Sequence, residues 1–350
     1  MKKISLLCFV ALVGVTQLFA ARSFDLKDLT SGTFYPENLK EVTPLMDGES
    51  YTRISPDGSK ILKMSFSTDQ QTAVLFDIKN ARGANLTSFD GYIISPDGSR
   101  ILIQTNTHHI YRHSFTATYY IYSVENNKLE PLSEGGPQQT PLFSPDGNQI
   151  AFVRDNNIFL VKLLFNNSES QVTKDGKFNE VINGIPDWVN EEEFTNDRSM
   201  VFNADGTMLC WIRYDESAVK MFSFPWYKGS NPELTQYSDY PGAYSYKYPL
   251  PGYDNSKVSV FSFDIKAHQT RKIQLPLDTD GYIPRIKMTS DASKVAVFTM
   301  NRHQDRLDIY MANPRSTVCQ LVIRDEINKY IKEESMESVM ITSGHILLPS

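Results

Sequence analysis

Three acidic side chains in a row, Glu191, Glu192 and Glu193, follow Asp187-Trp188-Val189-Asn190. Adjacent carboxylates can together accept most of the N–H donors of an ammonium group. Such charge-assisted bonds are strong and directional in a water-poor cavity. Taken alone, a glutamate triplet reads as a solvated face. Arg112 lies in Tyr111-Arg112-His113-Ser114, and its guanidinium, always charged, suits the orienting of a carbonyl. Taken alone, it reads as a surface or ion-pair arginine. His109 and His113 are four apart but have no acidic or cysteine ligand at metal-site spacing, so no metal and no cofactor are expected. Asp57, Asp97 and Asp146 sit in turn sequences and read as turn formers rather than acid/base groups. No Gly-x-Ser-x-Gly nucleophile elbow occurs in the chain.

The elements that must position these residues are announced by a repeat. Ser55-Pro56-Asp57-Gly58, Ser95-Pro96-Asp97-Gly98 and Ser144-Pro145-Asp146-Gly147 each precede a short apolar run, and Asn203-Ala204-Asp205-Gly206 and Ser290-Asp291-Ala292-Ser293 are degenerate copies. Proline presets φ, aspartate bonds the neighbouring backbone and glycine accepts a positive φ, so each copy predicts a tight turn between two strands. The copies begin 40, 49, 59 and 87 residues apart. A period near 40–50 with four strands per unit reads as a β-propeller blade, and about five to six blades are expected. The fold class is all-β, an incomplete propeller of four-stranded antiparallel blades. Residues 219–256, rich in Tyr, Pro, Gly and Ser, break the rhythm and read as an arm inserted in a blade. Residues 325–337 are polar enough to hold a helical turn. The chain stops in a strand-like run, which leaves a sheet edge unprotected and reads as the mark of a fragment.

The chain has 350 residues, with 41% hydrophobic, 22% charged and 12% aromatic residues. That composition is ordinary for a globular protein, and the aromatic share favours strands. A formal charge of −6 gives no reason to expect a nucleic-acid partner. Lys2 and Lys3 followed by the apolar run Ile4–Val15 predict a signal peptide over residues 1–21 and a periplasmic or extracellular location. No run in the mature chain is long enough to span a membrane. Cys210 and Cys319 lie in apolar, strand-like runs and read as two buried free thiols.

Two segments resemble the dipeptidyl peptidase IV family. Gly184-Ile185-Pro186-Asp187-Trp188-Val189-Asn190-Glu191-Glu192-Glu193 is similar to its D-W-V-x-E-E-E segment, and Arg112-His113-Ser114-Phe115-Thr116-Ala117-Thr118-Tyr119 to its R-H-S-x-T-A-x-Y stretch. The resemblance runs from about Phe24 to about Glu337. It implies an eight-bladed propeller joined to an α/β-hydrolase domain that carries the catalytic Ser, Asp and His. It also implies that Glu192 and Glu193 bind the free α-amino group of a peptide, while Arg112 binds the carbonyl next to the scissile bond. Cleavage would release X-Pro or X-Ala dipeptides. The glutamates are expected on a short insertion facing the central cavity, with Arg112 arriving from a neighbouring blade and Trp188 pinning the insertion into the core. Residues 22–350 would then be the propeller, cut before the hydrolase domain, with the arm contacting a second subunit in a homodimeric full-length parent.

Two other functions compete. A non-enzymatic periplasmic propeller binding protein partners would explain the repeat but not the glutamates or the Arg112 stretch. An acylaminoacyl peptidase of the same clan takes blocked N-termini and has no need of paired glutamates. With no nucleophile–base–acid set in the sequence, the purified chain is expected not to hydrolyse a Gly-Pro chromogenic substrate. Turnover that survives repurification and is lost on mutating a residue of this chain would overturn that expectation.

Overall fold

The structure is a computed structural model that describes residues 25–36, 42–229, 237, 239–332, 340–342 and 345–347. The expected signal peptide lies outside these residues, as do 333–337 of the segment read as a helical turn and part of the arm. The described part of that segment ends a strand and continues without helix to Lys332. The chain divides into two units, Met1–Val42 and Thr43–Ser350. The first contains α1 (Leu26–Thr30), whose N-cap Asp25 and Asp28 form a reciprocal capping box.

Among the described residues the second unit is a series of five blades built on antiparallel strands. Blade one pairs β1 (Thr43–Pro44), β2 (Ser50–Ile54), β3 (Lys60–Ser65) and β4 (Gln71–Asp77) in chain order. Blade two holds β6 (Gly91–Ile94), β7 (Arg100–His109), β8 (Phe115–Ser123) and β9 (Lys128–Pro131), with the short β5 (Arg82–Gly83) added parallel to β9. Blade three is β10 (Gln139–Phe143), β11 (Gln149–Arg154), β12 (Asn157–Lys162) and β13 (Ser168–Gln171). In blade four, β14 (Val181–Asn183) and β15 (Met200–Phe202) both pair with β16 (Met208–Asp215). The arm follows, as the separate hairpin β17 (Met221–Trp226) and β18 (Gly242–Lys247), before β19 (Lys257–Asp264) and β20 (Gln269–Lys272) complete the blade. Blade five is β21 (Tyr282–Met288), β22 (Val295–Met300), β23 (Arg306–Ala312) and β24 (Cys319–Glu326), and a last hairpin joins β25 (Met340–Thr342) to β26 (His345–Leu347). Among the described residues no strand pairing joins blade one to blade five.

The face-to-face stacking of blades follows from the two-residue period of a strand, which sends neighbouring side chains to opposite faces. Ile101 and Ile103 pack with Ile61 and Phe76 of blade one, whereas Leu102 between them packs with Phe152 and Val161 of blade three. Ile150 and Phe152 then face blade two, and Ala151 and Val153 face the core shared by blades three, four and five. Each central strand therefore needs apolar residues at every position rather than at alternate ones. Burial of each Ile or Phe contributes about 1.5–3 kcal/mol.

The repeated turns form as the sequence requires. Gly58, Gly98, Gly147 and Gly206 have φ between 68° and 71°. In the second copy the buried Ser95 hydroxyl donates to Asp97 (2.6 Å) and accepts the Arg100 N–H (2.9 Å). Asn203 does the same work through its amide, accepting the Met208 N–H at 2.8 Å. The fifth copy is displaced by one residue from its sequence reading. The closing hydroxyl is that of Thr289, which donates to the Lys294 carbonyl (2.9 Å), and Asp291 occupies the aspartate position. Neighbouring turns are also tied to one another. Arg100 donates to the Gly147 carbonyl (3.4 Å), Gln149 to that of Gly206 (3.1 Å) and Asn203 to that of Ala292 (2.7 Å).

Cys210 is buried and Cys319 only half-buried, which corrects the reading of two buried thiols; both are free. Burial pushes the Cys210 thiol up to about 12 and that of Cys319 to about 11. Among the described residues no helix is long and apolar enough to cross a membrane.

Replacing Ser95 by Ala removes both turn bonds and leaves the Arg100 N–H short of a partner. Urea denaturation is expected to show a loss of about 1–2 kcal/mol.

Candidate functional site

The glutamate triplet lies on an excursion of blade four. Its neck is closed where the Ser199 N–H donates to the Gly184 carbonyl (2.8 Å). Gly184 has φ +80°, and a Cβ there would come within 3.0 Å of Ile158, so the neck requires glycine. Asp187 then caps α2 (Trp188–Glu192), accepting the backbone and side-chain N–H groups of Asn190 at 2.9 and 2.8 Å, while its other oxygen accepts the Ser256 hydroxyl. Phe194 and Val189 fasten the excursion to the apolar face of blade five, with the Phe194 and Tyr282 rings 5.3 Å apart.

Successive helical residues are turned by about 100°, so the three glutamates face different surroundings. Glu191 is 1% exposed, and one of its oxygens accepts the backbone N–H groups of His113 (2.8 Å) and Ser114 (2.7 Å). Glu192 is paired with Arg112, Nε to Oε2 at 2.9 Å. Glu193 is the exposed C-cap, its N–H donating to the Val189 carbonyl at 2.9 Å. Two of the three charges are therefore compensated, Glu191 by backbone N–H groups and Glu192 by a guanidinium.

Arg112 stands at the tip of the β7–β8 hairpin of blade two. It does not come from a blade neighbouring α2, because blade three lies between. The hairpin reaches across because its strands, ten and nine residues long, outrun the other strands of the blade. The tip is held by the Ile110 N–H donating to the Ser114 carbonyl (2.9 Å) and by Glu191 from the far side. The Arg112 side chain is 71% exposed, so its ion pair adds little to stability and can be exchanged for a ligand at little cost to the fold.

The arm roofs this meeting point. Its aromatic face carries Phe222, Phe224 and Trp226 on one strand and Tyr244 and Tyr246 on the other, in register as Phe222↔Tyr246 and Phe224↔Tyr244. Trp188 does not enter the core as expected. It is half-exposed and lies against the arm, 4.2 Å from the Tyr248 ring and 6.0 Å from that of Tyr246. Tyr246 is also 5.9 Å from Tyr111, the neighbour of Arg112. Burial, then the nearby Tyr248 and Tyr244 rings and the Glu192 charge, raise the Tyr246 hydroxyl above its usual range. One arm residue thus touches both segments that the sequence singled out.

Beside this junction lies a cavity of about 510 Å³ between the hairpin tips of blades two and three, α2 and the base of the arm. Its lining includes Tyr111, Trp188, Glu191 and Glu216 but not Arg112, Glu192 or Glu193, which stand outside it. Sequence reasoning missed Glu191, Tyr111, Tyr246 and Glu216. Glu191 lies inside one recognised motif and Tyr111 immediately before the other, and the last two carry no sequence signal. His109 ends β7 and His113 lies in the tip; among the described residues no group of three or more His, Cys, Asp or Glu could hold a metal ion.

The fold is a propeller region that brings an acidic helix and an arginine-tipped hairpin together beside a cavity. Residues 95–347 match the family described as dipeptidyl peptidase IV (DPP IV) N-terminal region. The chain belongs to that family. It is 34% identical over 247 residues to a protein of Emericella nidulans named probable dipeptidyl-aminopeptidase B, an alignment covering 67% of this chain and 27% of that protein. A protein of Aspergillus fumigatus named probable dipeptidyl peptidase 4 is 35% identical over 223 residues, covering 61% and 28%. The crystal structure of Porphyromonas gingivalis dipeptidyl peptidase 4 superposes with a TM-score of 0.86 at 39% identity, over 92% of this chain and 45% of that one. The chain therefore spans about a quarter of the length of the curated relatives it matches.

Replacing Glu191 by Ala would orphan two N–H groups at the hairpin tip. The expected loss is about 3 kcal/mol in denaturant unfolding, with backbone amide exchange accelerated first at residues 110–114. Protection unchanged at that tip would show that Glu191 does not hold it.

Proposed function

We propose that this chain is the substrate-recognition propeller of an exported dipeptidyl peptidase IV-like serine exopeptidase that releases X-Pro or X-Ala dipeptides from peptide N-termini. Glu192 and Glu193 take the free α-amino group, and Arg112 orients the carbonyl next to the scissile bond. The observation that carries this reading is the 2.9 Å pair between Arg112 and Glu192, which unites two motifs eighty residues apart. Without ligand the guanidinium neutralises Glu192. An arriving ammonium replaces it there and frees Arg112 to meet a carbonyl. Fixing the amine turns binding into measurement of two residues from a charged end. Binding and orientation, not bond cleavage, are assigned to these side chains. Export is supported by the residue pattern of positions 1–21. The outer arm face, where Met221, Ser223, Pro225, Ala243 and Ser245 are exposed, is the surface through which a longer parent would form a homodimer.

The test is calorimetric binding of Ala-Pro to the full chain. Glu192→Ala is expected to weaken it by about ten- to a hundredfold, the effect of losing one charge-assisted contact. N-acetyl-Ala-Pro should bind no better to the native protein than Ala-Pro does to the variant. Normal affinity in both Glu192→Ala and Glu193→Ala overturns the reading.

A further inference from the structure

The cavity beside the anchor contains a carboxylate that nothing above has used. Glu216, just past the end of β16, is 6% exposed and lines the cavity wall. Two other buried carboxylates share that wall, and both are satisfied. Asp187 accepts from Asn190 and Ser256, and Glu191 from His113 and Ser114. Among the described residues no hydrogen bond reaches the Glu216 carboxylate; only its backbone is paired, the N–H to the Glu180 carbonyl (2.8 Å) and the carbonyl to the Val219 N–H (3.0 Å). A buried acceptor without a donor is costly unless something outside the protein supplies one.

The bases near the cavity are committed elsewhere. Lys247, at the end of the arm strand β18, donates to the Val219 carbonyl at 2.8 Å and the Ser217 carbonyl at 3.4 Å. On the opposite wall Arg154 is held by Glu169 (2.7 Å) and Ser133 (2.6 Å), and Lys177 is paired with Glu180. Burial, then the Asp187 charge, raise the Glu216 carboxyl to about 7; Lys247 opposes the rise and Asp215 adds to it. Burial, then Tyr244, Glu216 and Glu191, raise the Tyr111 hydroxyl, so both carboxylates act on the residue beside Arg112.

We propose that this cavity is a second cation subsite, in which Glu216 receives the ammonium or guanidinium of a basic side chain on the first residue of a bound peptide. The inference rests on the amine site proposed above. The side chain of the residue whose amine meets Glu192 branches from the carbon that bears that amine, and the cavity lined by the adjacent Glu191 is the buried volume beside it. About 510 Å³ accommodates a lysine or arginine side chain. Trp188, Ile110 and Pro186 in the wall suit its aliphatic stem, and an arriving cation would supply the missing donor while holding Glu216 ionised.

The test compares Lys-Pro with norleucyl-Pro, equal in stem length but without the charge, by calorimetry on the full chain. Lys-Pro is expected to bind about tenfold more tightly at pH 8. Glu216→Gln should abolish that advantage and leave norleucyl-Pro unchanged. In the native protein the advantage should also shrink at pH 6, where Glu216 is protonated; the α-amine titrates alike in both peptides and cancels in the ratio. Equal affinity of the two peptides for the native chain, or an advantage that survives in Glu216→Gln and at pH 6, overturns this inference and leaves the amine site standing. Failure of both peptides to bind overturns this inference and the amine site together.

Discussion

The site depends on one oxygen of Glu191. It is buried, and it gathers two backbone N–H groups from a hairpin that starts two blades away. The exposed Arg112–Glu192 pair is too weak to fix the hairpin tip by itself, and the tip is what carries Arg112. The same contact sets the helix rotation, so that Glu192 turns toward the guanidinium and Glu193 toward solvent. A carboxylate whose own partners are backbone groups thus decides which of its neighbours meets the guanidinium and which meets solvent. Its partners are backbone groups, so the contact constrains the path of the hairpin rather than any one side chain of it.

The blades supply the rigidity this arrangement needs. Because central strands are apolar on both faces, each inner blade is fixed by its neighbours on either side, and turn-to-turn hydrogen bonds tie blades two to five again at one end. At the other end hairpins are free to differ in length. The long one of blade two and the excursion of blade four exploit that freedom. The repeat therefore stores stability at one end of the blades and variation at the other.

How far this was legible in the sequence differs by residue. The turns were readable because Ser-Pro-Asp-Gly acts within six residues, and even the degenerate Asn203 copy keeps an acceptor at the first position. The fifth copy was misplaced by one because Ser290 imitates the leading serine, while the hydroxyl that closes the turn belongs to Thr289. Arg112 and the glutamates were readable as motifs, but not the span of blade three between them, since that depends on how far a hairpin projects. The type of Trp188 points to the core because tryptophan is usually buried; its cover comes instead from Tyr248 of the arm, sixty residues later in the chain. Glu216 was invisible because its surroundings are assembled from α2, the hairpin of blade two and the arm, and no local pattern records that.

The chain has three tryptophans, and the arm divides them. Trp211 is sealed in blade four, its indole N–H on Asn183 at 3.0 Å. Trp188 and Trp226 both stand in the aromatic cluster of the arm, 4.2 Å from Tyr248 and 4.5 Å from Tyr244. The molecule thus carries two separate optical reporters. Emission from the arm pair follows lifting or closing of the roof, and emission from Trp211 follows melting of the blade. A motion of the arm over an intact propeller would change the first and leave the second dark to the event.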